Sequence, residues 1–379
     1  MSRLETAWRA IVSGSPPVPG AAPARAALFA LTPLWRAGVA LDQWRFRSGL
    51  MPTVTLPRPV ISVGNITVGG TGKTTTVRWL VRRLAERGLR PGVLSYGYRA
   101  DAGKAGAPWV VAGGPGAVPA SASSCGDEPA MLARSLPGVP ILAGRRRAAA
   151  GQELCRSFLV DVVVLDDGFQ YLRLNRTVDL VLIDAVEPFG FGHVLPAGTL
   201  REPLAALRRA DAMVLTHSDS LTDEKRRALV ERLRALAPAR SNVPIACARH
   251  RAVAWRDLTT GRRSPIHPIP EGSWTSFCSL GRPEAFQHTL SALGVRVGHR
   301  IEFPDHHPYQ TADLNKLQTL AAAAGNVGLI TTEKDAVKLP GAGLGVACLV
   351  LEVDLEFLEG EEELLEAVVR KISAAGASG

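Results

Sequence analysis

Short apolar runs separated by stretches with helical spacing set the rhythm of the chain. Pro59-Val60-Ile61-Ser62-Val63 is β-branched and compact, as in a buried strand. A glycine-rich turn follows, then helical spacing over 74–87, closed by Gly88. Residues 91–98 read as a second strand, with a short one near 109–111 inside a Gly/Ala/Ser/Pro-rich stretch. Helices are predicted over 127–136 and 147–158. Val162-Val163-Val164-Leu165, Leu180-Val181-Leu182-Ile183 and Met213-Val214-Leu215 are three further strands. This alternation predicts an α/β fold, a mostly parallel sheet flanked by helices on both faces. Beyond about residue 240 a second set begins. Its strands fall around Ile245, Phe277, 328–331 and 349–353, and its helices near 284–293 and 311–323. The acidic stretch 352–366 reads as a solvated helical face.

The N-terminus has a different texture. Residues 26–35 and 37–41 are apolar and are edged by Arg36, Trp44, Arg45, Phe46 and Arg47. Such a segment suits a helix lying in a membrane interface; a helix packed on the protein's own core is the plainer reading. No run reaches the ~18 apolar residues of a transmembrane helix, and no signal-peptide pattern is present.

Charge sharpens this contrast. The chain of 379 residues has a net charge of +9, yet residues 1–100 hold 14 Lys and Arg against 3 Asp and Glu. The whole basic excess is therefore N-terminal, facing an anionic membrane, phosphorylated ligands, nucleic acid or plain solvent. The five cysteines include no C-x-x-C pair, which suits reduced thiols.

The strongest chemical signal is Gly64-Asn65-Ile66-Thr67-Val68-Gly69-Gly70-Thr71-Gly72-Lys73-Thr74-Thr75. It follows a strand and opens a helix, as a phosphate-binding loop must. Backbone N–H groups from Gly69 to Thr75 and the helix N-terminus would cradle phosphate oxygens. Lys73 would reach the β- and γ-phosphates and the Thr74 hydroxyl would ligate Mg²⁺. The strict pattern has glycine where this chain has Thr67. Asp166-Asp167 ends a buried strand, where such folds hold Mg²⁺; helix capping is the alternative use of two acids there. The parts divide the chain into an N-terminal segment 1–50, a P-loop domain 51–240 and a smaller α/β domain 241–379.

A P-loop alone also fits a nucleotide-switched GTPase or a partition-type ATPase. A guanine reader has N-K-x-D or T-K-x-D, whereas Thr332-Glu333-Lys334-Asp335 puts its lysine one place late. Partition ATPases carry a lysine before the Gly-Gly pair, where this chain has Val68. A nucleic-acid ATPase is a third reading, but no nucleic-acid module is recognisable.

Six blocks occur together in order: the P-loop, Gly126-Asp127-Glu128-Pro129, Asp166-Asp167-Gly168-Phe169-Gln170, Leu195-Pro196-Ala197-Gly198…Leu200-Arg201-Glu202-Pro203, Phe303-Pro304-Asp305-His306-His307 and Thr332-Glu333-Lys334-Asp335. The set resembles the tetraacyldisaccharide 4′-kinase family, the lipid A 4′-kinases, over about residues 26–355. The resemblance implies transfer of the ATP γ-phosphate to the 4′-hydroxyl of a tetraacylated glucosamine disaccharide lipid. It implies a peripheral enzyme, docked by its N-terminal helix on the cytoplasmic face of a Gram-negative inner membrane. The expected partners are that lipid and the anionic membrane surface, without nucleic acid, for a monomeric chain.

The same resemblance implies Asp127 as general base and His306 as its partner, although Asp-Glu-Pro opening a helix is also good capping chemistry and His307 is an alternative to His306. Thr74 and Asp167 are the expected metal ligands, with Asp166 and Glu202 nearby. Arg147 fits a phosphate contact or a solvent-facing helix start, and Gln170 fits the substrate or the metal shell. The family's Ser-Arg-Gly-Tyr segment reads Ser95-Tyr96-Gly97-Tyr98 here, leaving Arg99 to stand in beside Tyr98. Glu333, Lys334 and Asp335 are candidate adenine readers.

Overall fold

In the computed structural model, residues 3–14, 20–97, 109–113, 122–237, 243–323, 325–339 and 344–376 are described. Tyr98 and Arg99 lie outside them. Two helices open the chain, α1 (Arg3–Ser13) and α2 (Ala21–Arg47). Then come β1 (Val60–Asn65), α3 (Lys73–Glu86), β2 (Pro91–Ser95), β3 (Trp109–Ala112), α4 (Ala122–Cys125), α5 (Asp127–Ser135), β4 (Ile141–Ala143), α6 (Arg147–Ser157), β5 (Val162–Asp166), β6 (Val178–Asp184), β7 (Ala212–Thr216) and α7 (Asp223–Leu236). The remainder is β8 (Ile245–Asp257), β9 (Arg263–Pro265), β10 (Trp274–Cys278), α8 (Pro283–Ala292), β11 (Val297–Glu302), α9 (Thr311–Ala323), β12 (Gly328–Thr332), α10 (Glu333–Ala336), β13 (Cys348–Glu359) and α11 (Glu361–Gly376).

All the strands among the described residues belong to one sheet, ordered β11-β10-β12-β13-β8-β7-β6-β1-β5-β2-β4-β3, with β9 beside β8. Pairing is parallel except for β13 with β8, β8 with β9, and β3 with β4. The strands around the P-loop, β1, β2, β5, β6 and β7, are buried along their whole length. That is why they read as continuous apolar runs without alternation. The break expected near residue 240 falls between β7 and β8, which are parallel neighbours through Met213 and Ile245. The last helix also returns across it. Leu364, Leu365, Val368 and Ile372 of α11 share a core with Val178, Leu180 and Val214 of the first half.

The 352–366 stretch departs from its expected helix. Its first part is β13, and only from Glu361 does a helix run. Glu352, Asp354 and Glu356 alternate with Val353, Leu355 and Phe357, the period of a strand. The acids meet arginines. Glu352 pairs with Arg256 at 2.9 Å and Arg263 at 2.6 Å, and Glu356 with Arg249 and Arg251.

α2 has no buried residue. It is held by polar handles on one side. The Trp35 indole donates to the Arg201 carbonyl at 3.0 Å, Gln43 donates to Glu202, and Phe29 packs edge-on to His193 at 4.7 Å. Trp8 of α1 donates to the Pro196 carbonyl nearby. Leu31, Leu34, Leu41 and Trp44 face outward, with Leu34 70% exposed. The helix therefore lies on the 193–202 loop and leaves an apolar row uncovered, unlike a helix packed into a core. No helix among the described residues is long and apolar enough to cross a membrane.

Candidate active site

β1 ends at Asn65 and α3 begins at Lys73, so the P-loop sits at the C-terminal edge of the sheet beside β5 and β6. Gly72 precedes the helix at φ +80°, a conformation that costs a side-chain-bearing residue steric strain. Gly69, Gly70 and Thr71 lead into it. The Thr71 hydroxyl is buried and accepts from Asn65 Nδ2 at 2.9 Å. Thr67 needs no glycine, because it is bridged to Leu200. On either side of it Arg201 N donates to the Ile66 carbonyl and Val68 N to the Thr199 carbonyl. The Thr75 hydroxyl donates to the Gly72 carbonyl at 2.8 Å and lies 2.9 Å from His250 Nε2.

Lys73 Nζ stands 3.8 Å from Asp167 Oδ1. Asp167 follows β5 directly in a left-handed conformation, φ 49°, a strained backbone position of the kind that gathers at functional sites. Arg201 donates to both its carboxylate oxygens, at 2.9 and 3.1 Å. Partial burial opposes charge on Asp167, but Lys73 and Arg201 outweigh it and hold the carboxyl below its ordinary range. Asp166 behaves oppositely. Burial, with Glu128 and Asp167 nearby, pushes its carboxyl up to about 7. Its Oδ2 accepts from Ser95, while Oδ1 is buried without a hydrogen-bond partner among the described residues. An orphaned buried carboxylate oxygen calls for a cation or water. With Thr74 in the first turn of α3, the set is hard oxygen chemistry, which suits Mg²⁺ completed by phosphate oxygens and water. The turn after Asp167 closes against β1 only because residue 64 is glycine. A Cβ there would lie 2.6 Å from the Phe169 Cβ.

Three expected site residues turn to the protein itself. Glu202 is buried, with both oxygens accepting from Arg209 at 2.9 Å and one also from Gln43. A carboxylate so occupied braces the loop under α2 and is not available as a metal ligand. Arg147 is buried and donates to the carbonyls of Asp167 at 2.7 Å and Asp166 at 3.3 Å, over the Tyr171 ring. It supports the acidic pair from behind, as neither a solvent-facing helix start nor an open phosphate contact. Gln170 donates to the Asn65 carbonyl and accepts from Arg201, tying the acidic turn to the P-loop.

The second half contributes to the same region. Asp127 is the first residue of α5. Gly126 is the cap residue, without a side-chain bond, so Asp127 does not cap the helix. Its Oδ2 lies 3.0 Å from His306 Nδ1 and 3.9 Å from Lys338 Nζ. His306 occupies a left-handed position, φ 57°. His307 is engaged elsewhere, 2.8 Å from Asp313 and stacked on Phe303. The candidate adenine readers also have protein partners. Glu333 pairs with Arg78 at 2.8 Å, Lys334 with Asp305 at 2.8 Å, and Asp335 takes Ser279, Thr332 and Lys338. Sequence reasoning missed Arg201 and His250 as site residues, and it read Lys334 for adenine where the structure sets it beside His306. Arg201 stands inside one of the six blocks, whereas His250 had no signal in its own neighbourhood.

A strand, a glycine loop opening a helix, a lysine and an acidic pair at the adjoining strand end together define a P-loop nucleotide-dependent phosphotransferase site. A sequence model of the tetraacyldisaccharide-1-P 4′-kinase family matches residues 24–373, and the chain belongs to that family. The tetraacyldisaccharide 4′-kinase of Anaeromyxobacter dehalogenans strain 2CP-C is 40% identical over 376 residues, covering 97% of this chain and 95% of that protein. The one from Syntrophus aciditrophicus is 38% identical over 325 residues, 85% of this chain and 86% of its own. The crystal structure of LpxK from Aquifex aeolicus in complex with ATP superposes with a TM-score of 0.73 at 28% identity, covering 92% of this chain and 99% of that one.

Proposed function

We propose that this chain transfers the γ-phosphoryl group of ATP to the 4′-hydroxyl of a tetraacylated glucosamine disaccharide 1-phosphate, a step in making lipid A. The observation that carries this reading is the direction of Asp127. It leaves its helix uncapped and reaches His306, while the charge of its neighbour Glu128 bears on Asp166 next to Lys73. On this reading a proton acceptor and a phosphate cradle serve one cleft. Asp127 takes the hydroxyl proton as the sugar oxygen bonds to phosphorus. The bond from phosphorus to the β–γ bridging oxygen breaks, and ADP leaves with that electron pair. Lys73 and the loop N–H groups meet the charge that develops on the phosphoryl oxygens. Thr74, Asp166 and Asp167 would hold Mg²⁺, which would supply positive charge against the developing phosphoryl charge. Arg201 and Arg147 keep the acidic pair in place.

The outward apolar row of α2, with Arg25, Arg36, Arg45 and Arg47 on the same helix, fits a peripheral enzyme on an anionic inner-membrane surface, facing the cytoplasm, where its lipid acceptor resides. Tyr98 and Arg99 belong to the segment proposed to meet that acceptor. The Asp127→Asn variant tests the chemistry. With Mg-ATP and the disaccharide lipid, kcat is expected to fall about 10²- to 10⁴-fold with little change in KM for ATP. Turnover near that of the unaltered chain would remove Asp127 from the base role.

A further inference from the structure

The Thr332-Glu333-Lys334-Asp335 segment has no counterpart in the transfer step described above, yet each of its charged side chains is held in place. Glu333 is fixed by Arg78 of α3, and Asp335 accepts from the Ser279 backbone and hydroxyl, the Thr332 hydroxyl and Tyr309. Between them, Lys334 projects to His306. Its Nζ lies 3.3 Å from His306 Nε2 and 2.8 Å from Asp305 Oδ1.

A lysine ammonium carries three donors and no acceptor. The imidazole nitrogen that faces it must therefore present a lone pair. A neutral imidazole has a single N–H, which is then on Nδ1, the atom 3.0 Å from Asp127 Oδ2. The other tautomer would set Nε2–H against the ammonium and the Nδ1 lone pair against a carboxylate, two repulsive contacts in one ring. The doubly protonated ring would keep one of them. The remaining charged groups beside the ring, among the described residues, do not reverse this. Asp305 Oδ1 stands 4.0 Å from Nε2 and is already paired with Lys334, and Lys338 lies 3.9 Å from Asp127 and 2.9 Å from Asp335.

We propose that Lys334 is a positioning residue that fixes the His306 tautomer, so that His306 donates to Asp127 and leaves the carboxylate an acceptor aimed at the sugar hydroxyl. This deepens the reading of Asp127 as base and rests on it. In this role Lys334 acts through the ring, by its contact with His306 Nε2. Its own position is set by the Glu333–Arg78 pair on one side and the Asp335 cluster on the other.

Long-range ¹H–¹⁵N correlation spectra of the full chain, labelled at histidine nitrogens, test this. His306 is assigned by the resonances lost in His306→Gln. The unaltered chain is expected to show His306 with Nδ1 protonated and Nε2 bare. Lys334→Met should shift His306 toward the Nε2–H pattern. It should also lower kcat about tenfold or more while KM for Mg-ATP stays within about twofold. Lys334→Arg, which keeps a donor-only cation, should recover part of both. An Nε2–H pattern in the unaltered chain would overturn the proposal, and that spectrum does not depend on any Lys334 variant folding. So would an unchanged tautomer in Lys334→Met, even with reduced kcat, since Lys334 would then be only a structural prop. Full activity of Asp127→Asn is a separate failure, of the base assignment, and leaves the tautomer measurement to be judged by itself.

Discussion

Gly72 meets two constraints that no other residue satisfies together. Its φ of +80° disfavours a side chain, and a Cβ would fall 2.4 Å from His250 Nε2. Gly72→Ala is expected to cost about 1–2 kcal/mol for the backbone alone, read by urea unfolding, and to raise KM for ATP as the loop shifts. His250 itself carries a pH signature. Burial, reinforced by His217, pulls its ring down to about 3. Because Thr75 already donates to the Gly72 carbonyl, its oxygen accepts from His250 Nε2–H, and Nδ1 is left buried without a partner among the described residues. A histidine whose folded value lies below its unfolded value of about 6.5 binds fewer protons folded than unfolded. Its contribution is complete above about 6.5 and is lost progressively as pH falls from there toward about 3. His250→Gln should therefore flatten the loss of unfolding free energy between pH 6.5 and 4; an unchanged slope would deny His250 this role. At this scale the sequence was legible where chemistry is local. Glycines, a lysine and hydroxyls within twelve residues spell a phosphate loop. It was silent where a side chain arrives from 175 residues away, as His250 does at Thr75.

The strands and helices of the first half were legible for a related reason. Fully buried parallel strands appear as unbroken apolar runs, and glycine or proline punctuates the helices between them. β13 was misread because its acids were taken as a block, although their strict alternation with Val353, Leu355 and Phe357 is a strand period. The arginines that answer them lie on β8, β9 and α3, far away in sequence. One of these ties the two halves together. Arg78, buried in α3, pairs with Glu333 at 2.8 Å and Asp354 at 2.9 Å and donates to the Val353 carbonyl. Removing one member of such a pair leaves a buried charge uncompensated. Arg78→Met should lower unfolding free energy by about 3–5 kcal/mol, and Arg78→Met with Glu333→Met should recover a good part of it. Equal stability of the single variant and the unaltered chain in urea would show that α3 and α10 are not coupled through this pair.

For the molecule as a whole, the basic excess and the uncovered apolar row sit at the same end of the chain. The Trp35 indole bonds the carbonyl of Arg201, whose guanidinium holds Asp167, so a surface bound by α2 would lie one residue from the acidic pair. Replacing Leu34, Leu41 and Trp44 by serine should reduce co-sedimentation with anionic vesicles, more so at high salt where charge alone is screened. Unaltered binding would place the membrane contact elsewhere. Neither the position of α2 against the 193–202 loop nor the return of α11 across the sheet was legible in the sequence, because both depend on surfaces assembled from distant segments. The claim on which the rest depends is that one cleft brings a triphosphate and a sugar hydroxyl together. Incubating the full chain with Mg-ATP and the tetraacylated disaccharide 1-phosphate, and following the lipid by ³¹P NMR, tests it most directly. A new monophosphate resonance at the 4′ position, appearing in step with ADP, is the predicted result. ADP formation with the lipid left as its 1-phosphate would contradict it.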